Sequence, residues 1–200
     1  MATRTTSHRP SGKWYPRNAA SGVILAILAC GGIQAAETTN LLALKPGELV
    51  DYAPLAFRPE VWKSKGQSTF LLPWSGSNIV FLTTPGDYDG RLMRQWVKRL
   101  DEGWALYADL TGAKPALGRQ LNGHASIAAV PDFDYTCGAG CGYVGSSGIE
   151  LAMFYRWNYP ALRRNPEAIP HYVFYEMGRN FYTFGNRHSC FTTGFAVFMR

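Results

Sequence analysis

The sequence predicts an α+β domain in which a mixed sheet packs against helices. Short runs rich in Phe, Ile, Val and Leu lie between Gly, Pro and Ser residues, which is typical of strands. Two longer segments have apolar residues at three- and four-residue spacing, which is typical of amphipathic helices. With 200 residues, of which 46% are hydrophobic, the chain is long enough to bury the core of one ordinary domain.

The first 36 residues have the order of a secretory signal peptide. A basic, Ser-rich start is followed by the apolar run of residues 23–29 and then by small residues. This run is shorter than the roughly 20 residues that a membrane-spanning helix needs. Cleavage after Ala35, or one residue later after Ala36, is one expectation. The alternative is that residues 27–30 (Ile-Leu-Ala-Cys) are a lipoprotein box and that Cys30 carries lipid. Either way, we expect an exported protein, secreted or held at the cell envelope, that contacts a membrane only through such an anchor.

The positive charge of the chain is concentrated in this leader. The whole chain has a formal net charge of +6, but residues 1–35 contain four of the 20 basic residues and no acidic residue. The remaining residues therefore carry a net charge of only +2. This balance argues against a nucleic-acid partner.

After a variable segment over residues 37–65, the main domain is expected over residues 66–200. Asp89 to Leu110 is expected to be an amphipathic helix, because charged residues separate its regularly spaced apolar ones and Gly112 and Pro115 follow it. Four strands are expected, at Gln67 to Leu72, Asn78 to Leu82, Ser126 to Val130 and Gly148 to Met153.

Three cysteines remain once the leader is removed, an odd number in a compartment that favours disulfides. Cys137 and Cys141 lie in a glycine-rich loop and can close a tight ring. Cys190 can instead reach either of them, or a partner. A zinc site on Cys137 and Cys141 is the weaker alternative, because no second pair of cysteines exists to complete it.

A second helix is expected from about Pro170 to Phe184, since proline is tolerated in a first turn and Gly185 follows as a terminator. A third begins near Thr192 and runs into Arg200. Its apolar residues need cover, so we expect a helical continuation and therefore a domain that is truncated at its C-terminus.

The helix over residues 170–184 has two distinct faces on a helical wheel. One face is apolar and is expected to pack on the sheet: Val173, Phe174, Met177, Phe181 and Phe184. The other combines tyrosines, a histidine, a carboxylate and a guanidinium group, which indicates a partly desolvated cleft. The simpler alternative is an ordinary surface ion pair between Glu176 and Arg179, with tyrosines covering apolar surface.

This polar face resembles the zinc-binding helix of the zincin metallopeptidases. Residues 175–180 (Tyr-Glu-Met-Gly-Arg-Asn) are similar to the His-Glu-x-x-His motif followed by Asn of the enhancin-type peptidases. Residues 193–200 (Thr-Gly-Phe-Ala-Val-Phe-Met-Arg) are similar to the Glu-Gly-Ile-Ala-Asp-Phe-Val-Arg stretch of the plant basic secretory protein family. Residues 110–115 and 142–144 also resemble these families. The resemblance implies a zincin-like domain in which a mixed sheet packs on an active-site-type helix. An edge strand beside this helix, for which we take Gly148 to Met153, would bind extended peptide.

The resemblance also implies that the zinc ligands have been replaced. Tyr175 stands at the first histidine position, Arg179 at the second and Thr193 at the downstream glutamate position, whereas Glu176 keeps the general-base position. A phenol with a pKa of about 10 must lose its proton before it binds a metal. A guanidinium has no free lone pair and repels a cation. We expect Arg179 to pair with Glu176, to keep it ionised, and to occupy the space of the metal.

The candidate site therefore consists of two sets of residues. One stands at the catalytic and ligand positions of the zincin motif, and the other is expected to contact a partner. The first set is Glu176, Tyr175 and Arg179. The second is His171, Tyr172, Tyr182, Thr193, Ile149 and Glu150. Three further tryptophans are candidates for stacking on sugars, although scattered tryptophans are more often core residues: Trp62, Trp74 and Trp157.

The expected function is that of an exported, non-catalytic binding protein with no cofactor. Its partner would be a peptide, a glycan or a cell-envelope component. One alternative is a secreted hydrolase or metallopeptidase that uses zinc through His171, Glu176 and His188, or a metal-free reaction built on Glu176, Tyr175 and Arg179. A purely structural envelope component is the third hypothesis.

Overall fold

A computed structural model describes residues 47–186 and 188–200. The expected leader, with its processing positions Ala35 and Cys30, lies outside these residues, as does the first part of the variable segment.

The described residues form a seven-stranded mixed sheet, which confirms the α+β class expected from the sequence. The strand order is β1-β2-β3-β5-β7-β6, and β4 pairs with β5. The β3-β5 and β5-β7 pairs are parallel, whereas the β1-β2, β2-β3, β4-β5 and β6-β7 pairs are antiparallel. The strands are β1 (Val50–Asp51), β2 (Phe70–Ser75), β3 (Ile79–Thr83), β4 (Gln120–Leu121), β5 (His124–Ala129), β6 (Gly140–Gly142) and β7 (Ile149–Leu151).

Helices cover both faces of this sheet. They are α1 (Pro59–Ser64), α2 (Gly90–Thr111), α3 (Tyr159–Arg164), α4 (His171–Asn180) and α5 (Ser189–Met199). Because side chains alternate along a strand, Phe81 joins the larger core beneath α2 and α4, while Leu82 joins a second core beneath α1. The central strand β3 is buried along its whole length for this reason.

The helix expected over residues 89–110 is confirmed as α2. Asp89 caps its start by accepting hydrogen bonds from the backbone N–H groups of Arg91 (2.8 Å) and Leu92 (3.2 Å). Gly112 ends it with a φ of 61°, a left-handed conformation that glycine adopts at little cost. Within α2, the Asp101 side chain accepts hydrogen bonds from the backbone N–H groups of residues 77–79 and so fastens the β2–β3 turn to the helix.

The part of the variable segment that the structure describes is built into the domain. Strand β1 pairs with β2, and helix α1 places Trp62 in the second core, where its side chain has no exposed surface. Tyr52 lies beside it, with the two rings 6.0 Å apart. The sheet therefore begins before residue 66.

The prediction that Gly148 to Met153 is an edge strand is wrong. Strand β7 lies between β5 and β6, and Ile149, Glu150 and Leu151 are completely buried. The edge strand beside α4 is β6, which is antiparallel to β7. The sequence did not indicate β6 as a strand, because its Gly-Cys-Gly composition is that of a loop.

The glycine-rich loop before β6 is closed by a disulfide. Cys137 and Cys141 are bonded, with their Cα atoms 5.5 Å apart, whereas Cys190 is exposed and free. This pairing is the first of the alternatives that the sequence left open. Within the described ranges, no helix has both the length and the hydropathy that a membrane-spanning helix requires.

Candidate functional site

Helix α4 carries the residues that resemble the zincin motif, and it is shorter than the sequence predicts. It ends at Asn180, not at Phe184. The Asn180 side chain donates hydrogen bonds to the carbonyl oxygens of Tyr143 (2.9 Å) and Gly148 (3.2 Å), which ties the end of the helix to the β6–β7 turn. The predicted packing of Val173, Met177 and Phe181 on the sheet is confirmed, because all three lie in the larger core. Phe184 is instead 58% exposed.

Glu176 lies where β6 crosses α4. The residue is only 6% exposed, and its Oε2 atom accepts a hydrogen bond of 2.8 Å from the backbone N–H of Gly142. The two backbones approach so closely that a Cβ atom at Gly142 would lie 2.3 Å from the Glu176 carbonyl oxygen. A Cβ atom at Gly140 would lie 2.9 Å from the Glu176 Cγ atom. The groove expected in front of Glu176 is thus occupied by the chain's own edge strand.

Arg179 lies close to Glu176, as the sequence predicts. The distance between Arg179 Nε and Glu176 Oε2 is 3.9 Å. The backbone oxygen of Arg179 accepts a hydrogen bond from Gly145 N at 2.9 Å, so the turn after β6 also covers this part of the helix. The two groups form a loose, partly screened ion pair, since the Arg179 side chain is 31% exposed.

The direction of the pKa shift of Glu176 is opposite to the one that its pairing with Arg179 alone would give. Burial raises the pKa of its carboxyl group above the ordinary value, and this effect is larger than the opposing effects of the Arg179 guanidinium and the Gly142 N–H. The expectation that Arg179 is the main influence on the pKa of Glu176 is therefore corrected. The physical reason is that β6 removes water from the carboxylate while Arg179 remains partly solvated.

Two of the tyrosines expected to contact a partner are engaged within the domain, Tyr172 being partly buried and Tyr182 buried. The Tyr172 hydroxyl accepts a hydrogen bond from the side chain of the buried Asn158, and burial raises the pKa of Tyr172 to about 12. Tyr182 follows the end of α4 and is 3% exposed. Its hydroxyl donates to the backbone oxygen of Asn186, and its ring packs on Phe184 and Phe195.

The accessible part of the predicted site is a row along α4. His171 is exposed, and Tyr175 and Arg179 are partly exposed. Their spacing of four residues places them one above another on the helix. On α5, Thr193 is exposed, and so is His188, which precedes that helix.

Glu150 belongs to a different environment. Its side chain lies in the second core, on the face of the sheet opposite α4, where its Oε1 atom accepts hydrogen bonds from the Tyr52 hydroxyl (2.9 Å) and the Phe57 N–H (2.9 Å). Burial raises the pKa of Glu150. Ile149 lies in the larger core and is also completely buried. The structure therefore does not bring Ile149 and Glu150 to an accessible peptide-binding edge.

An aromatic-cation stack was missed by the sequence interpretation. The Arg119 guanidinium lies 3.8 Å from the Tyr143 ring centre and 4.7 Å from that of Phe57, and its Nε atom donates to the Leu55 carbonyl oxygen at 2.6 Å. The three residues are far apart in sequence, so no local pattern indicates this contact. It holds the segment before α1 against the turn that follows β6.

Two of the three tryptophans considered for sugar stacking are core residues, and one lies at the surface. Trp62 and Trp74 are buried core residues, whereas Trp157 is 53% exposed, with Arg156 5.5 Å from its ring centre. In the described part of the chain, no three His, Cys, Asp or Glu side chains are grouped as a metal-binding set.

Comparison with family models, with curated proteins and with solved structures gave no match to this chain.

Proposed function

We propose that this chain is an exported, zincin-like protein without zinc chemistry that binds a peptide, a glycan or a cell-envelope partner. The proposal rests on the sequence resemblance of α4 and on one structural observation. The carboxylate of Glu176, at the general-base position, accepts a hydrogen bond from the N–H of Gly142, and Arg179 Nε lies 3.9 Å from it. This carboxylate is therefore engaged in contacts within the protein.

Electrostatics supports the absence of a cation beside Glu176. A single positive charge about 4 Å from a guanidinium is repelled by about 4 kcal/mol at an effective dielectric of about 20, and a divalent ion by roughly twice as much. Only one carboxylate is present to offset this repulsion, and burial raises its pKa. The zinc-activated water on which the peptidase mechanism depends would have no favourable binding position.

The row of His171, Tyr175 and Arg179 is the surface of α4 that we propose for contact with the partner. It combines an imidazole, a phenol and a guanidinium, which supply hydrogen-bond donors and an aromatic face. These groups can form hydrogen bonds and stacking contacts with a polar peptide or sugar chain.

Zinc titration of the purified, tag-free protein tests this proposal. We expect no stoichiometric zinc by metal analysis, no hydrolysis of peptide substrates, and an unchanged melting temperature on addition of a chelator. The triple variant Y175H/R179H/T193E restores the ligand types of the motif and is the matched comparison. Tighter zinc binding by this variant than by the native protein would support the resemblance.

The enzyme alternative is favoured by the raised pKa of Glu176, because strongly perturbed carboxyl groups are common at catalytic sites. It requires His171 and His188 to serve with Glu176. One equivalent of tightly bound zinc in the native protein, lost together with hydrolytic activity in H171A or H188A, would replace our proposal by this one.

Export is tested separately from the site. The mature protein should begin near Ala36 or carry lipid on Cys30, which mass spectrometry of the protein from its native host would detect. An intact N-terminus on the native protein would contradict export without affecting the proposal for α4.

A further inference from the structure

A row of four cations occupies one face of helix α2. Arg91, Arg94 and Lys98 follow one another at three- and four-residue spacing, and Arg99 lies beside them. Together with Gln95 and Glu167, these side chains line a surface cavity of about 270 Å³. At a rise of about 1.5 Å per residue, the row is about 10 Å long.

This arrangement is unfavourable for the helix itself. No acidic residue occurs from Gly90 to Leu100, so the positive end of the helix dipole is surrounded by like charges. Cations three or four residues apart also repel one another. Asp89 is the neighbouring acid: its carboxylate accepts hydrogen bonds from the backbone N–H groups of Arg91 and Leu92, and the charges of Arg91 and Arg94 help to lower its pKa, so it offsets part of the repulsion without forming a salt bridge. A row of like charges that acidic neighbours offset only in part is a sign of a functional surface.

The ion pairs of this face leave half of its cations without an acidic partner. Lys98 pairs with Glu102 at 2.6 Å and Arg99 with Glu167 at 2.9 Å. Within the described part of the chain, neither Arg91 nor Arg94 has a carboxylate within salt-bridge distance. Since the chain beyond residue 35 has a net charge of only +2, this unpaired charge is a local feature and not a consequence of overall composition.

We propose that this face of α2 binds an acidic polysaccharide, with Arg91 and Arg94 contacting its carboxylate or sulfate groups. The Gln95 amide donates a hydrogen bond to the Glu167 carboxylate, whose other oxygen accepts one from Arg99, and the remaining donor and acceptor sites of Gln95 and Glu167 can bond to sugar hydroxyls. The lining side chains include no aromatic ring on which a base could stack and no apolar group that could enter a membrane. Glu167 in the cavity lining, and Glu102, which pairs with Lys98 one turn further along α2, would also repel a dense phosphate backbone. The inference does not depend on the function proposed for α4, because it concerns another helix.

Binding of the native protein to polygalacturonate tests this inference, with neutral dextran as the uncharged comparison. We expect salt-sensitive binding to polygalacturonate and none to dextran. Substitution R91Q/R94Q should weaken the binding about tenfold, the effect of losing two exposed charge contacts. The control K63Q/K114Q removes the same charge from exposed positions elsewhere and should change the affinity less than about twofold.

Thermal unfolding of the same variants separates binding from folding. R91Q/R94Q should melt at or above the temperature of the native protein, because it removes repulsion at the start of α2. Three outcomes would overturn the inference: no binding of the native protein to polygalacturonate at low salt, an equal loss of affinity in the control variant, or tighter binding to duplex DNA or to anionic vesicles.

Discussion

At Gly142 the backbone of β6 contacts the backbone of α4. This contact explains why the Glu176 carboxylate is buried and hydrogen-bonded. The hydrogen bond from Gly142 N to the carboxylate satisfies an outward-facing N–H of an edge strand. An unsatisfied edge of this kind invites pairing with other chains. The Glu176 carboxylate therefore satisfies one N–H group of this edge strand, which is then not available for pairing with another chain.

A methyl group at Gly142 should break this contact. In G142A the new Cβ would lie 2.3 Å from the Glu176 carbonyl oxygen, which is backbone and cannot move aside cheaply. We expect the free energy of unfolding to fall by about 2 kcal/mol in urea denaturation.

Gly194 is the matched control, because it lies in helix α5, where a Cβ atom would have nothing within 4 Å of it. G194A should raise the free energy of unfolding by about 0.5–1 kcal/mol. Equal effects of the two substitutions would contradict the close approach of β6 to α4.

At the scale of elements, the Cys137–Cys141 disulfide and strand β6 act together. The bond closes a loop with a sequence separation of 4 directly before the residue that contacts Glu176. It therefore limits the conformations that the loop can adopt when β6 is detached from β7.

Removal of the disulfide should loosen β6 before the rest of the sheet. For C137A/C141A we expect a loss of about 2 kcal/mol in the free energy of unfolding, the value for closing a loop of about five residues. Hydrogen exchange of the Gly142 amide should become faster. The control C190A alters an exposed free cysteine and should stay within about 0.5 kcal/mol of the native protein. Unchanged exchange at Gly142 in C137A/C141A would show that the disulfide does not hold this strand.

At the scale of the whole molecule, Glu150 joins the N-terminal segment to the centre of the sheet. It accepts hydrogen bonds from Tyr52 and Phe57 while completely buried. Burial raises its pKa above the ordinary value of 4.5, so the folded protein binds a proton more tightly than the unfolded chain does. Its contribution to stability is complete below that ordinary value and is lost as the pH rises through the folded-state pKa.

The pH dependence of unfolding should report this buried carboxyl group. Between about pH 5 and about pH 7.5 we expect the free energy of unfolding of the native protein to fall, by at most about 1.4 kcal/mol per pH unit for one group. E150Q keeps the acceptor oxygen and should show a smaller fall and equal or higher stability at neutral pH. The remaining slope belongs to Glu176, whose pKa is also raised.

Three acidic groups with shifted pKa values do not interfere in this pH range. Asp51, Asp89 and Asp134 have lowered pKa values, so their stabilising contributions are lost only as the pH falls below the ordinary value of 3.8. A native protein that becomes more stable from about pH 5 to about pH 7.5, together with an E150Q variant that is less stable at neutral pH, would contradict the assignment.

The elements whose signals are local could be predicted from the amino-acid sequence alone. Helix α2 was predicted to within a residue at each end, because Asp89, the apolar spacing and Gly112 act within a few turns. The apolar stripe of α4 through Val173, Met177 and Phe181 was predicted for the same reason. The α+β class also followed, since it depends on the order of such elements and not on how they are arranged.

The identity of the edge strand and the surroundings of Glu176 depended instead on the tertiary fold. Strand order is set by contacts between distant segments, so the sequence could not show that β6 is inserted between β7 and solvent. The contact between β6 and α4 buried Glu176 and partly covered Tyr172, and the hydrogen bonds of Asn180 to the β6–β7 turn lie where α4 ends. The position of β7 inside the sheet placed Glu150 in the core on the opposite face. Local periodicity reports which side of a helix is polar, but the solvation of that side depends on which part of the chain packs against it.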